Sequence, residues 1–178
     1  MNRINKDLSG LENLIGQDKI IIRKIMPDEL DILNDMLYEA VYLPEGAEPL
    51  SRDIIKIPEI NNYIDGFGNQ KDDHCLVAEI KGKIVGAVWV RILAGKIKGY
   101  GNINDQTPEF AISLLKEYRN QGIGTRLMQQ MIEYLKQKYM QASLSVQKEN
   151  YAVKMYQKLG FEIISENKED YLMVLKLK

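Results

Sequence analysis

The chain has 178 residues, 45% of them hydrophobic and 28% charged, and its 24 basic and 25 acidic residues give a net charge of −1. This composition fits one globular domain with a sizeable core and gives no electrostatic reason to expect a nucleic acid or an anionic membrane as a partner. One cysteine, Cys75, excludes an internal disulfide, and no apolar run approaches the ~18 residues of a membrane span, so we expect a cytoplasmic protein.

The first part of the chain predicts an extension, one strand and two helices. Apolar residues at helical spacing over residues 2–15 predict a short helix or a frayed terminus, so we treat 1–19 as an N-terminal extension and 20–178 as the domain. A strand is predicted over 20–25. Pro27 and Pro58 each start a predicted helix, and the second carries Ile60, Ile64 and Phe67.

The second part of the chain predicts the remaining strands and two further helices. Two strands at 75–80 and 84–92 flank a hairpin turn, and a glycine-rich loop covers 94–102. The later predictions are a strand at 110–115, a helix at 122–139, a strand at 143–146, a helix at 151–159 and strands at 161–165 and 171–177. This order predicts an α+β fold with a mixed, mostly antiparallel sheet of six to seven strands and helices on both faces.

A glycine-containing turn joins one of these strands to the long helix. Its sequence is Arg119-Asn120-Gln121-Gly122-Ile123-Gly124-Thr125. Such a turn directs free backbone N–H groups toward one point, where the helix dipole adds positive potential, and glycine lets a phosphate approach the backbone. The pattern predicts an anion site, with an ordinary turn into a core helix as the alternative.

Spacing separates this turn from two other phosphate-binding loops. It has no third glycine for a dinucleotide fingerprint and no Gly-Lys-Ser/Thr for a Walker A loop. Arg-x-x-Gly-x-Gly instead resembles the pyrophosphate motif of the Gcn5-related N-acetyltransferase (GNAT) family. A second segment resembles the same family's C-terminal signature, with Asn150, Tyr156 and then Leu159-Gly160-Phe161. As a pattern of elements the resemblance covers residues 20–178, and its specific residues lie between 109 and 161.

The resemblance implies the acyl-CoA N-acyltransferase fold, in which strands four and five run parallel and splay apart around the cofactor's pantetheine arm. It implies acetyl-CoA as co-substrate and acetyl transfer to a primary amine on a small molecule or a protein. Because one His and one Cys provide no metal-site spacing and Cys75 is expected to be buried, we expect no metal and a direct transfer without an acyl-enzyme. The residues it places against the cofactor are Leu114, Leu115, Arg119, Asn120, Gln121, Gly122, Ile123, Gly124, Thr125, Asn150, Val153 and Tyr156.

Several of these residues have more than one interpretation. Backbone groups of Leu114 and Leu115 would pair with the pantetheine amides like an added strand. Arg119 would add a charge contact or be a solvated arginine. Asn150 would bind the pantetheine arm, cap the last helix, or do both.

The same resemblance proposes two catalytic residues. Tyr156 would donate a proton to the departing thiolate, or else only pack in the apolar stripe of its helix. Glu109 would deprotonate the amine, bind a cationic acceptor, or be a solvated charge at a strand end. In the family the glutamate tends to lie one residue earlier, and such a slip reverses the strand face.

The remaining reactive side chains give weaker signals. His74 has a suitable intrinsic pKa for a base but stands in a charged turn, which favours surface exposure. Cys75 is expected to be a buried strand residue and not a nucleophile. The runner-up function is a non-catalytic acyl-CoA-binding regulatory module, and a nucleotide-binding regulator is weaker still. The acceptor's identity and the formation of a homodimer stay open.

Overall fold

The computed structural model describes residues 19–178, so the predicted helix over 2–15 lies outside the described residues. Seven strands form one sheet in the order β1-β2-β3-β4-β5-β7-β6. The strands are β1 Ile20–Lys24, β2 His74–Ile80, β3 Lys83–Arg91, β4 Glu109–Leu114, β5 Gln141–Gln147, β6 Glu162–Glu166 and β7 Asp170–Lys176. The α-helices are α1 Ile32–Ala40, α2 Pro58–Asn61, α3 Ile123–Lys136 and α4 Ala152–Lys158.

The sheet separates two apolar cores, as the sequence predicted. Residues of α3 and α4 pack on one face with Phe110, Ile112 and Leu114 of β4. Residues of α1 and of the segment after α2 pack on the other face, beside Ala111. The predicted α+β architecture and the predicted number of strands are therefore confirmed. No helix within residues 19–178 is long and apolar enough to span a membrane.

Strands β4 and β5 form the one parallel pair among the described strands, and they separate soon after they meet. Glu109 pairs with Ser143, and the Ser143 N–H donates to the Pro108 carbonyl at 3.0 Å. No later residue of β4 pairs with β5, whereas β4 follows β3 along its whole length. A gap therefore opens in the middle of the sheet, toward the carboxyl ends of both strands.

The segment after Pro58 differs from its prediction. Only a single helical turn, α2, forms, and the chain then continues through turns to Gly68. The reason lies in the carbonyl groups of this segment. Arg91 donates to the carbonyls of Asn62 and Asp65 at 2.8 and 2.9 Å, and the Trp89 indole donates to that of Tyr63 at 3.1 Å. A longer helix would need these carbonyls for its own hydrogen bonds.

Candidate active site

Two adjoining cavities occupy the gap between β4 and β5. The smaller has a volume of about 400 Å³ and lies between Phe110–Ile112 and the residues of β5 that face them. The larger, of about 760 Å³, extends past the end of β4 to the start of α3. Six residues line both cavities, namely Ala40, Val41, Tyr42, Ile112, Asn150 and Tyr156. We call the smaller one the acceptor cavity and the larger one the cofactor cavity, after the roles that we propose for them.

The predicted glycine turn forms one end of the cofactor cavity. Asn120 and Gly122 adopt positive φ angles of 59° and 78°. The first backbone bond of α3 runs from the Arg126 N–H to the Gly122 carbonyl at 3.1 Å, so the earlier N–H groups of the turn have no intrahelical acceptor. A Cβ at Gly122 would meet nothing within 4 Å, so the space above the turn is open.

This geometry fits a pyrophosphate. Free N–H groups at the start of a 14-residue helix face open space, and a side chain at Gly122 would fill that space. Gly124 is packed more tightly, since its Cβ would lie 3.3 Å from Leu114. Thr125 also lines the cofactor cavity, whereas Ile123 is buried in the core and the Gln121 amide donates to the Glu117 carbonyl.

Arg119 lies beside the turn, but its guanidinium is directed elsewhere. Its Nε donates to the Leu114 carbonyl at 3.0 Å, and its Nη2 donates to a Glu39 carboxylate oxygen at 2.8 Å. The side chain therefore ties the end of β4 to α1. This arrangement matches neither a solvated arginine nor a guanidinium aimed at the open space above Gly122.

The free edge of β4 provides backbone groups to the gap. Leu115 donates its N–H to the Val85 carbonyl and accepts from the Tyr118 N–H, both at 2.9 Å. Its amide therefore faces β3, contrary to the expectation that it pairs with pantetheine. Because backbone direction alternates along a strand, Ile112 and Leu114 are the residues whose N–H groups face the gap. Leu114 is among the residues predicted from the sequence to contact the cofactor, whereas Ile112 is not.

The start of α4 brings the second motif to the same gap. The Asn150 side-chain oxygen accepts from the Ala152 N–H at 2.9 Å, so Asn150 caps α4 while it lines both cavities. Its amide N–H₂ group makes no hydrogen bond within the described residues and is available to a ligand. Val153 instead packs against the core on the α3 side and lines neither cavity.

Tyr156 lies where the two cavities meet. Its side chain is 7% exposed, and its ring packs against Phe161 with centroids 5.8 Å apart. Its hydroxyl makes no hydrogen bond with any residue in the range 19–178. Burial raises the pKa of this phenol above its ordinary value, so it stays protonated at neutral pH. Tyr156 can therefore pack and still present a proton donor to the gap.

Glu109 lies at the start of β4, on the face that carries α1. It is 2% exposed, which excludes a solvated strand-end charge. One of its carboxylate oxygens accepts hydrogen bonds from the Tyr63 hydroxyl and from the Gly101 N–H. Burial raises its pKa, and these two hydrogen bonds oppose that shift. Sequence reasoning missed Tyr63, because no local pattern links it to a residue 46 positions away.

His74 and Cys75 lie away from the gap. The His74 ring is half-buried and stacks on Tyr134 with centroids 3.6 Å apart, and burial together with Lys24 and Lys138 lowers its pKa to about 4. Its expected surface exposure is therefore only partial. Cys75 is a free, buried thiol, as predicted. Residues 19–178 contain no group of three or more His, Cys, Asp or Glu side chains placed to hold a metal.

A splayed parallel strand pair with a glycine turn at one end is the geometry of the acyl-CoA N-acyltransferase fold. The Acetyltransferase (GNAT) family profile matches residues 36–161, and the chain belongs to this family. It is 31% identical over 113 residues to an N-alpha-acetyltransferase of Sulfurisphaera tokodaii, covering 57% of this chain and 68% of that protein. It is also 31% identical over 141 residues to an uncharacterized N-acetyltransferase of Archaeoglobus fulgidus, covering 76% and 87%.

The fold also matches a solved acetyltransferase structure. The PaiA N-acetyltransferase of Thermoplasma acidophilum, solved in complex with coenzyme A, superimposes with a TM-score of 0.62 at 21% identity. The match covers 89% of this chain and 99% of that one. Fold and family together make this protein an acyltransferase.

Proposed function

We propose that this protein binds acetyl-CoA in the cofactor cavity and transfers the acetyl group directly to a primary amine in the acceptor cavity. The observation that carries the proposal is that Tyr156 lies in the wall common to both cavities. Acetyl-CoA bound in the cofactor cavity would place its thioester beside this hydroxyl, and an amine would reach the thioester carbon from the acceptor cavity.

Both backbone and side-chain groups would bind acetyl-CoA. The open turn at Gly122 would hold the pyrophosphate through N–H groups, with Lys116 as a cation in the lining of the same cavity. Backbone groups of Ile112 and Leu114 would pair with the pantetheine amides as an added strand. The free amide of Asn150 would complete these contacts.

Transfer then needs a proton donor for the sulfur and an acceptor for an amine proton. Tyr156 would protonate the sulfur as the C–S bond breaks, which suits a buried phenol with a raised pKa. The Glu109 carboxylate would receive the proton that leaves the amine. Cys75 is buried and the pKa of its thiol is raised by burial, so an acyl-cysteine step has no nucleophile in this gap.

The acceptor cavity indicates the character of the amine. Among residues 19–178, Glu169 and Asp170 are the charged side chains of its lining, and most of the lining is apolar or aromatic. An amine carried on an apolar stem fits this composition. The relative from Sulfurisphaera tokodaii is named an N-alpha-acetyltransferase, which makes a polypeptide N-terminus the first acceptor to test.

Thiol release from acetyl-CoA should be measured with three acceptors: a short peptide with a free α-amine, an Nα-blocked lysine, and a linear polyamine. We expect turnover with at least one of them, and product mass raised by one acetyl group. Tight acetyl-CoA binding without turnover of any amine would favour a regulatory binding module. Absence of acetyl-CoA binding would overturn the proposal as a whole.

A further inference from the structure

The Glu109 carboxylate is sealed from the acceptor cavity, although Glu109 belongs to a strand that lines it. Glu109 does not line either cavity, whereas its neighbours Phe110 and Ala111 do. Two glycines close over the carboxylate. A Cβ at Gly99 would lie 2.1 Å from one carboxylate oxygen, and a Cβ at Gly101 would lie 2.9 Å from the other. An amine in the cavity therefore cannot reach this carboxylate directly.

Tyr63 connects the sealed carboxylate to the cavity. Its side chain lines the acceptor cavity, and its hydroxyl donates a hydrogen bond to Glu109. The hydroxyl oxygen of Tyr63 also accepts a hydrogen bond from the Tyr100 N–H at 2.8 Å. A phenol has one donor and two lone pairs, so one lone pair of Tyr63 remains free. That lone pair can accept a hydrogen bond from an amine.

We propose that Tyr63 is the catalytic residue that touches the acceptor amine and that Glu109 acts through it. This inference rests on the proposed function. As the amine nitrogen bonds to the thioester carbon, Tyr63 takes one proton from it and passes its own proton to Glu109. Tyr156 protonates the sulfur as the C–S bond breaks. One proton is removed and one is delivered, so exchange with water returns Glu109 and Tyr156 to their starting states.

Burial is the reason why both members of the pair are needed. Burial and the neighbouring carboxylate raise the pKa of Tyr63 well above its ordinary value, so Tyr63 cannot act as a free phenolate. It can accept a proton only while it gives one up. The second oxygen of Glu109 has no hydrogen-bond partner among the described residues, which makes the ionised carboxylate costly here and favours uptake of a proton.

Charged and titratable groups around the pair come from several elements. On β3, the register partner of Glu109 is Arg91, whose guanidinium is already held by Asp73 at 3.0 and 3.1 Å. The 94–102 loop adds Tyr100, and β5 adds the neutral Ser143. The Arg91 charge is thus committed to Asp73, and within residues 19–178 Tyr63 provides the one side-chain hydrogen bond to the buried carboxylate.

The test is a double-mutant cycle on the amine that the parent acetylates best. Tyr63→Phe, Glu109→Gln and the double variant should each lower the high-pH plateau of kcat/KM by a similar factor, ~100-fold for lost general base catalysis. Acetyl-CoA affinity, measured by calorimetry, should stay unchanged. The matched control is Tyr139→Phe, which removes another tyrosine–carboxylate hydrogen bond, to Asp72 at 2.5 Å, far from the gap.

Different results would overturn different claims. If Tyr63→Phe shifts only the acidic limb of the pH profile of kcat/KM and reaches the parent's value at high pH, Glu109 acts without Tyr63 and the relay is wrong. The relay would also be wrong if the fold-loss of kcat/KM in the double variant equalled the product of the two single losses. Residues that act as one unit do not have independent effects. No turnover by the parent with any amine would instead overturn the proposed function, and the relay with it.

A measurement on the parent protein covers the case in which a variant does not fold. Tyrosine labelled with ¹³C at Cζ gives one resonance for Tyr63, assigned in the parent protein from through-space contacts between the stacked Tyr63 and Tyr100 rings. We expect this resonance to titrate with the Glu109 carboxyl, above that group's ordinary pKa of 4.5. A Tyr63 resonance that does not change as the pH passes through this range would show that the two groups are not coupled and would reject the relay.

Discussion

The two ends of the gap in the sheet are built from different chemical groups. At the cofactor end, one continuous turn of seven residues presents backbone N–H groups to open space around Gly122. At the acceptor end, side chains from separate segments, Tyr63 and Glu109, meet beneath a loop that seals them. The first site needs a particular backbone shape, whereas the second needs particular atoms brought together by the whole fold.

This difference has consequences for how each end tolerates change. Backbone N–H groups survive most side-chain substitutions, so only a change that blocks access or alters φ should damage the cofactor end. The acceptor end depends on single oxygen atoms, so removing one hydroxyl should be enough to damage it. The predictions below test this contrast, from the largest expected effect to the smallest.

Gly122→Val should weaken acetyl-CoA binding by ~100-fold or more. The new side chain would occupy the space above the turn, and losing two charge-assisted hydrogen bonds costs at least about 3 kcal/mol. Calorimetric titration with acetyl-CoA measures the effect.

The matched control is Gly82→Val in the β2–β3 hairpin turn. Gly82 has φ +79°, against +78° for Gly122, and its Cβ also meets nothing within 4 Å, so the backbone strain is the same. It should lose similar stability, about 1–2 kcal/mol, and keep acetyl-CoA affinity. Equal affinities in the two folded variants would remove the turn from the cofactor site.

Tyr156→Phe should lower turnover by about tenfold or more and leave acetyl-CoA affinity unchanged, because it removes a proton donor and almost no volume. Tyr134→Phe on α3 is the control, since Tyr134 lines neither cavity and, among the described residues, its hydroxyl accepts from Lys138 alone. If Tyr156→Phe matched the parent at every pH, Tyr156 would be a packing residue alone.

The contrast between the two ends also explains what the sequence could predict. The order of strands, the glycine turn and the Asn150–Phe161 segment are local patterns, set by periodicity and by backbone geometry at neighbouring residues. Tyr63 carries no such signal, because its role depends on a carboxylate on another element. The end of α2 was mispredicted for the same reason, since Arg91 and Trp89 take its carbonyls from a distant strand.

The role of Leu115 shows a finer limit. The sequence predicts that Leu115 contacts the cofactor as Leu114 does, but the direction of its N–H depends on which residue of β3 it faces. A shift of one residue in register reverses that direction. Sequence motifs therefore indicate the strand that borders the gap, but they do not determine which of its N–H groups face the gap.

Arg119→Ala should weaken acetyl-CoA binding about threefold to fivefold. Arg119 forms a partly exposed ion pair with Glu39 that holds β4 against α1, and losing such a pair costs ~1 kcal/mol. Glu39→Ala should give a similar loss, and the double variant should be no worse than either one. An Arg119→Ala effect that is much larger, strongly salt-dependent and independent of Glu39 would show that the guanidinium turns to the phosphates when acetyl-CoA binds.

The smallest expected effect is on stability, and it has opposite signs at two glutamates. Burial raises the pKa of Glu109 in the folded protein, so its stabilising contribution is complete below the unfolded value of 4.5 and is lost as the pH rises through the folded pKa. Hydrogen bonds from Arg23 and the Met26 N–H lower the pKa of Glu29 to about 2, so its contribution is present above 4.5 and is lost as the pH falls toward 2.

Thermal unfolding of Glu109→Gln and Glu29→Gln between pH 3 and pH 8 should reveal this opposition. Relative to the parent, Tm of Glu109→Gln should rise as the pH increases from about 4.5 toward neutrality, because the substitution removes a carboxylate that is costly to ionise when buried. Relative to the parent, Tm of Glu29→Gln should be lowest at neutral pH and should recover in acid. If Tm of Glu109→Gln were instead below that of the parent at neutral pH and approached it as the pH fell, as expected for Glu29→Gln, the Glu109 carboxylate would be stabilised in its ionised form. The acceptor end would then hold a permanent anion suited to binding a cation and poorly suited to taking up a proton.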